Sequence, residues 1–199
     1  MTLNGIIRVF GVFAIIGGLL RASMSPIELI FGRDFYLSLI LGGIIGSLLL
    51  VPGAVGAYLL QAKEAGKFGF ITFLLTLIGT TYIGFLVFMT YAFQVLDPKL
   101  LEADAPPAPL GTMAMVGVMG FMLSTLLYGI ATFRANVLPR GAAIMIMLFP
   151  ILNILPIPYL SDIAVICWGG SYVWLGLYAV TKTGSNRVLP EQPAHNHSV

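Results

Sequence analysis

Thr72, Thr76, Thr80 and Gly84 recur every fourth residue, so they line one face of a helix. Threonine hydroxyls on such a face bond back to the carbonyl four residues earlier or across to a partner helix. They can equally give polar groups to a ligand path, and Tyr82 adds a phenol beside them. A second unusual segment follows later, where Pro150, Asn153, Pro156 and Pro158 fall within nine residues. Each interior proline removes one helical hydrogen bond, and broken helices at membrane depth are tolerated where the backbone is buried in protein or lines a cavity. In transporters such breaks sit at substrate sites. Thr76, Thr80, Tyr82, Pro150 and Asn153 therefore form the candidate ligand site, for a small molecule or lipid held between a third and a broken fifth helix. The competing reading is architectural: a threonine seam, and prolines that mark a helix end.

Other chemistries lack their residues. Met113, Met115, Met119 and Met122 lie on one stretch, but a copper path needs histidine or cysteine beside its thioethers. The histidines, His195 and His197, are near the end of the chain, and Cys167 is the single cysteine. This excludes an intramolecular disulfide and a thiolate cluster. His-Glu-x-x-His, a P-loop and a dinucleotide fingerprint do not occur. A serine hydrolase needs a histidine near its serine, and no basic patch supports nucleic-acid binding. The expectation is no catalytic residue, no metal, no cofactor and no nucleic acid. No Asp, Glu, Lys, Arg or His is expected near the centre of a span, which lowers the standing of a proton-driven carrier.

The elements that position these residues are six apolar stretches: 5–21, 35–60, 68–96, 110–133, 141–159 and 161–181. Only 9% of residues are charged and 58% are hydrophobic, with mean hydropathy +0.98. A soluble domain carries roughly 25% charge, and a bilayer core takes roughly 20 apolar residues per helix. The stretches are apolar all round, without the alternation of barrel strands. The predicted fold is all-α, a polytopic transmembrane bundle of six spans over 1–182 with a disordered tail at 183–199. The first stretch reads as a retained helix, since its flanks lack a clean cleavage signal. Ser25 and Pro26 read as the start of a short interfacial helix. Pro52 predicts a kink, the proline run 106–109 a stiff outer loop, and Ser161-Asp162 a helix cap. Gly42, Gly46, Thr72, Gly84, Gly117 and Gly120 read as small faces for close helix packing.

Charge sets the orientation. The N-terminus, the 61–67 and 134–140 loops and the tail hold Arg8, Lys63, Lys67, Arg134, Arg140, Lys182 and Arg187. The opposite loops hold Arg21, Arg33 and Lys99. Short cytoplasmic loops carry the excess of Lys and Arg, which predicts both termini in the cytoplasm.

Gln61-Ala62 followed by Lys67 echoes Arg134-Ala135 followed by Arg140, a faint internal similarity between the two turns. The segment Tyr128-Gly129-Ile130-Ala131-Thr132-Phe133-Arg134-Ala135-Asn136-Val137-Leu138-Pro139-Arg140 resembles one in small, uncharacterised bacterial six-helix integral membrane proteins. There an aromatic-Gly-x-Ala helix end runs into an Arg-Ala-x-Val-x-Pro-Arg turn. Tyr58-Leu59-Leu60-Gln61-Ala62 is similar to their other cytoplasmic turn. The resemblance implies a bacterial cytoplasmic (inner) membrane protein and brings no catalytic residues. The expected function is a non-enzymatic accessory or self-associating bundle whose partners are the bilayer and, through its small faces, a second copy or another membrane protein. The alternative is the small-molecule or lipid transporter described above.

Overall fold

The computed structural model describes residues 2–32, 35–96 and 110–185, which are helical with short connections. Helix α1 is Leu3–Phe31, started by Thr2, whose Oγ1 accepts from the Gly5 N–H at 3.3 Å. It stops at Gly32, whose φ of 93° suits glycine and whose N–H donates to the Glu28 carbonyl at 2.9 Å. The expected end at residue 21 is corrected. The helix runs on through Arg21 and Pro26, because Arg21 is buried between neighbouring helices and does not mark an interface. Ser25 and Pro26 thus start no separate helix.

The next helical run, Tyr36–Leu96, contains a π-helical stretch at Leu39–Ile45 and breaks at Gly66, with φ 60° and ψ −158°. That conformation costs an L side chain dearly and glycine little. The break divides the run into α2 (36–65) and α3 (67–96). They fold back on each other as an antiparallel hairpin. Tyr58 stacks on Phe73 at 4.3 Å, Ser47 faces Gly84 and Gly43 faces Val87. Pro52 stays inside α2.

Helix α4 is Leu110–Ala135, α5 is Arg140–Ile154 and α6 is Leu160–Ser185. Helix α5 keeps its helical form through Pro150 and ends at Ile154, shorter than the predicted span of 141–159. Leu155 is extended, Pro156 and Pro158 lie in the turn, and Tyr159 takes φ 67°. Pro156 and Pro158 lack the N–H that would continue the helical hydrogen bonds, so the helix ends before them. The predicted start at residue 161 is close to that seen, and Asp162 lies in the first turn of α6, where a carboxylate suits the helix dipole. The helical part of the tail extends to Ser185. The proline run and both histidines lie outside the described residues.

Each helix packs on its chain neighbours, and α1 also packs on α6, so the six close into a ring. The core fills with Leu50 of α2, Phe73 of α3, Phe121 and Tyr128 of α4, Ile146 and Phe149 of α5, and Trp168 and Tyr172 of α6. Outward positions are apolar too, with Leu48, Ile78, Phe85, Val116 and Leu177 exposed. Leu3–Phe31, Tyr36–Leu96, Gly111–Ala135 and Leu160–Thr183 are each long and apolar enough to cross a bilayer, while Arg140–Ile154 is apolar but shorter. An all-helical chain with apolar residues on both its inner and outer faces is a membrane protein.

Candidate functional site: a buried guanidinium, a buried amide and a lipid-facing groove

Helix α1 turns a narrow stripe inward: Ile7, Gly11, Ala14, Gly18, Arg21 and Ser25 are all buried. Their alternating spacing of four and three is the seam of a tightly packed helix. Glycine lets the backbones meet. A Cβ built on Gly18 would lie 2.6 Å from the Gly169 carbonyl oxygen of α6. Arg21 rides the same stripe into the interior and is 6% exposed.

The guanidinium lies over the Trp168 ring, 5.2 Å from its centroid. Trp168 is in turn boxed by Phe121 at 5.2 Å, Phe149 at 5.2 Å and Tyr172 at 5.9 Å. Arg21 Nη1 donates to the Met24 thioether at 3.5 Å, a weak acceptor, and its buried Nε meets none. Glu28 exerts an attractive charge interaction on it, and Glu28 Oε1 accepts from the Ser38 hydroxyl at 3.1 Å. Trp168 Nε1 and Asp162 Oδ2 are also buried without partners. A cation withdrawn from water costs several kcal/mol unless its donors are met. This end of the bundle therefore holds two unmatched donors, Arg21 Nε and Trp168 Nε1, and one unmatched acceptor, Asp162 Oδ2.

The buried polar centre at the opposite end, near Gly66, is neutral. Gln61 is fully buried, and its Nε2 donates to Thr132 Oγ1 at 3.0 Å and Tyr128 Oη at 3.3 Å. Those bonds tie α2 to α4.

The predicted ligand residues divide. Thr76 is buried and donates to the Ser124 carbonyl of α4 at 2.9 Å. Tyr82 donates to the Met113 carbonyl at 2.7 Å. Thr80 is buried with no partner for its hydroxyl, and it lines a groove between α2 and α3. Pro150 is buried in α5, and Asn153 Nδ2 donates to the Phe149 carbonyl of its own helix at 2.9 Å. Helix α4 stands between the two groups. Its Phe121 packs against Gly79 of α3 on one side and, 5.5 Å away, Phe149 of α5 on the other.

The small faces are occupied from within the chain. Gly42 and Gly46 meet the α1 backbone, Gly84 meets Ser47, and Gly117 meets the Tyr82 ring. Thr72 donates to the Phe68 carbonyl at 3.0 Å. Gly120 is exposed, with nothing within 4 Å of a Cβ placed there.

Sequence reasoning missed Arg21 because it treated a cation after an apolar run as a span end. The stripe of small residues, continued through Arg21 to Ser25, is the signal that finds it. No protein-family model matches the chain, and no curated protein or solved structure matches it.

Proposed function

We propose that this chain is a six-span protein of a bacterial cytoplasmic membrane, with both termini in the cytoplasm, that binds and carries a small anionic solute at Arg21 without covalent chemistry. The observation that carries this reading is the Arg21 guanidinium, buried over Trp168 with its Nε unmatched. An ionisable side chain inside a membrane bundle is a functional site by default. A carboxylate or phosphate group supplies the acceptors that Met24 does not. Gly42, Gly46, Gly84 and Gly117 are used inside the chain and Gly120 alone of the predicted small-face glycines is left exposed, which favours a ligand over self-association.

The Gly66 break supports counting α2 and α3 as separate spans. With Arg21 inside α1, the outer connections keep Arg33 and Lys99 as their cations, which sharpens the charge asymmetry behind the orientation. The likeness of the 128–140 segment to bacterial membrane proteins supports the setting.

Native mass spectrometry of protein extracted gently from its membrane tests the function. A bound organic anion is expected, lost in Arg21→Met and partly kept in Arg21→Lys. A stoichiometric protein partner with no small molecule would return the chain to an accessory role. Topology is tested in a Cys167→Ala background. Single cysteines at Lys63 and Arg134 should label only from the cytoplasmic side, and one at Lys99 only from outside.

A further inference from the structure

Hydroxyls in this bundle normally find a partner. Thr72, Thr81, Thr90, Thr181 and Thr183 donate to carbonyls three or four residues back, as do Ser23, Ser124 and Ser171. Ser47, Thr80 and Thr125 do not, and of these Ser47 and Thr80 share one cavity. Each of that pair is 1% exposed, and the oxygen of each is buried without a partner. Both border one cavity of about 300 Å³ between α2 and α3, walled by Ile44, Leu48, Val51 and Phe85. Ser47 faces Gly84, one helical turn beyond Thr80, so the two hydroxyls stand on facing helices about one turn apart. Leu48 and Phe85 are exposed on the outer face, so the cavity opens towards lipid. Its edge at Ile44 belongs to the π-helical stretch, a form concentrated at functional sites.

We infer that this groove is a second binding site, for the carbonyl-bearing head of a neutral, membrane-dissolved molecule. The walls are apolar, so a charged head is disfavoured. Each hydroxyl has a proton to donate and needs an acceptor, which a carbonyl oxygen supplies. A volume of about 300 Å³ is at the small end for ligand pockets, so it takes a head or ring while the apolar remainder lies along the outer face. The site is distinct from Arg21 and stands whether or not an anion binds there. An acyl ester of a bilayer lipid and a free quinone share this chemistry.

Photolabelling of the intact protein in nanodiscs decides it. The probes are a diazirine-bearing diacylglycerol and a diazirine-bearing decyl benzoquinone. Labelling of peptides covering 44–51 and 80–88 is expected from at least one probe, and the successful probe identifies the source. The pair Ser47→Ala with Thr80→Val should lower labelling about tenfold, two hydrogen bonds being lost. Replacing unpartnered hydroxyls by apolar groups leaves the fold intact. Thr90→Val, whose hydroxyl already serves the Leu86 carbonyl and which lies outside the groove, should leave labelling unchanged. Labelling by neither probe, or equal labelling of the paired variant, overturns the inference. A loss of anion binding in Arg21→Met with groove labelling intact separates the two sites.

Discussion

The two buried polar centres sit in one bundle and follow opposite rules. At the Gly66 end, Gln61 spends its amide on Tyr128 and Thr132, and each bond joins α2 to α4. At the other end, Arg21 brings a full charge into the interior, where Nη1 donates to the Met24 thioether and Nε is without a partner among the described residues. The first arrangement is neutral and holds helices together, and the atom it leaves unpartnered, Gln61 Oε1, is uncharged. The second retains unmet donors, a costly state for a purely structural group. The difference teaches which buried polar groups serve the fold and which are kept at its expense.

The sharpest way to break the comparison is to deny Arg21 its place. Gly18→Leu puts side-chain bulk where α1 and α6 meet backbone to backbone, 2.6 Å from a carbonyl oxygen that cannot move aside. We expect a loss of about 3 kcal/mol or more, read as a collapse of the thermal transition in detergent. An unchanged transition would show that the α1–α6 seam is not as tight as described.

A smaller, opposite-signed pair tests the contrast itself. Gln61→Leu removes two bonds between helices and should cost about 1–2 kcal/mol in denaturant titrations. Arg21→Met removes a buried charge and should leave the ligand-free protein as stable or more so, by about 1 kcal/mol or more. Equal destabilisation by both would make Arg21 a structural residue held by Glu28, and the anion reading would fall.

The smallest effect is expected at Tyr82→Phe. Its hydroxyl bonds the Met113 carbonyl in a partly exposed position, so the change should cost about 1 kcal/mol or less, measured in the same titration. A larger loss would mean that the α3–α4 contact, and not the glycine seam, dominates stability.

Much of the architecture was legible. The apolar runs located five of the helices to within a turn or two, because lipid demands unbroken apolar length and internally satisfied backbone, while α1 runs ten residues past its expected end. Gly42, Gly46 and Gly84 were legible as close-packing positions for the same reason: small residues are what let helix backbones approach. The ends were harder. Pro26 stays inside α1, while α5 stops before Pro156, since tolerance of a proline depends on its surroundings. The candidate site was legible only in part. Thr80 borders a groove between α2 and α3, not the expected one between α3 and α5, and Thr76 and Thr72 serve as seam residues. Asn153 could not be assigned from its type alone, because one amide can serve a ligand or its own helix, and here it bonds Phe149.

The sequence by itself determined that this is a helical membrane protein, where its apolar segments run, and how its charges are divided along the chain. Those properties follow from composition and period, which solvent and lipid read one segment at a time. Only the tertiary structure decided that Arg21 turns inward over Trp168, that α4 separates α3 from α5, and that Ser47 and Thr80 share one groove. These are facts about which faces meet. Facing is set by close packing between residues far apart in the chain, and no single segment carries that information.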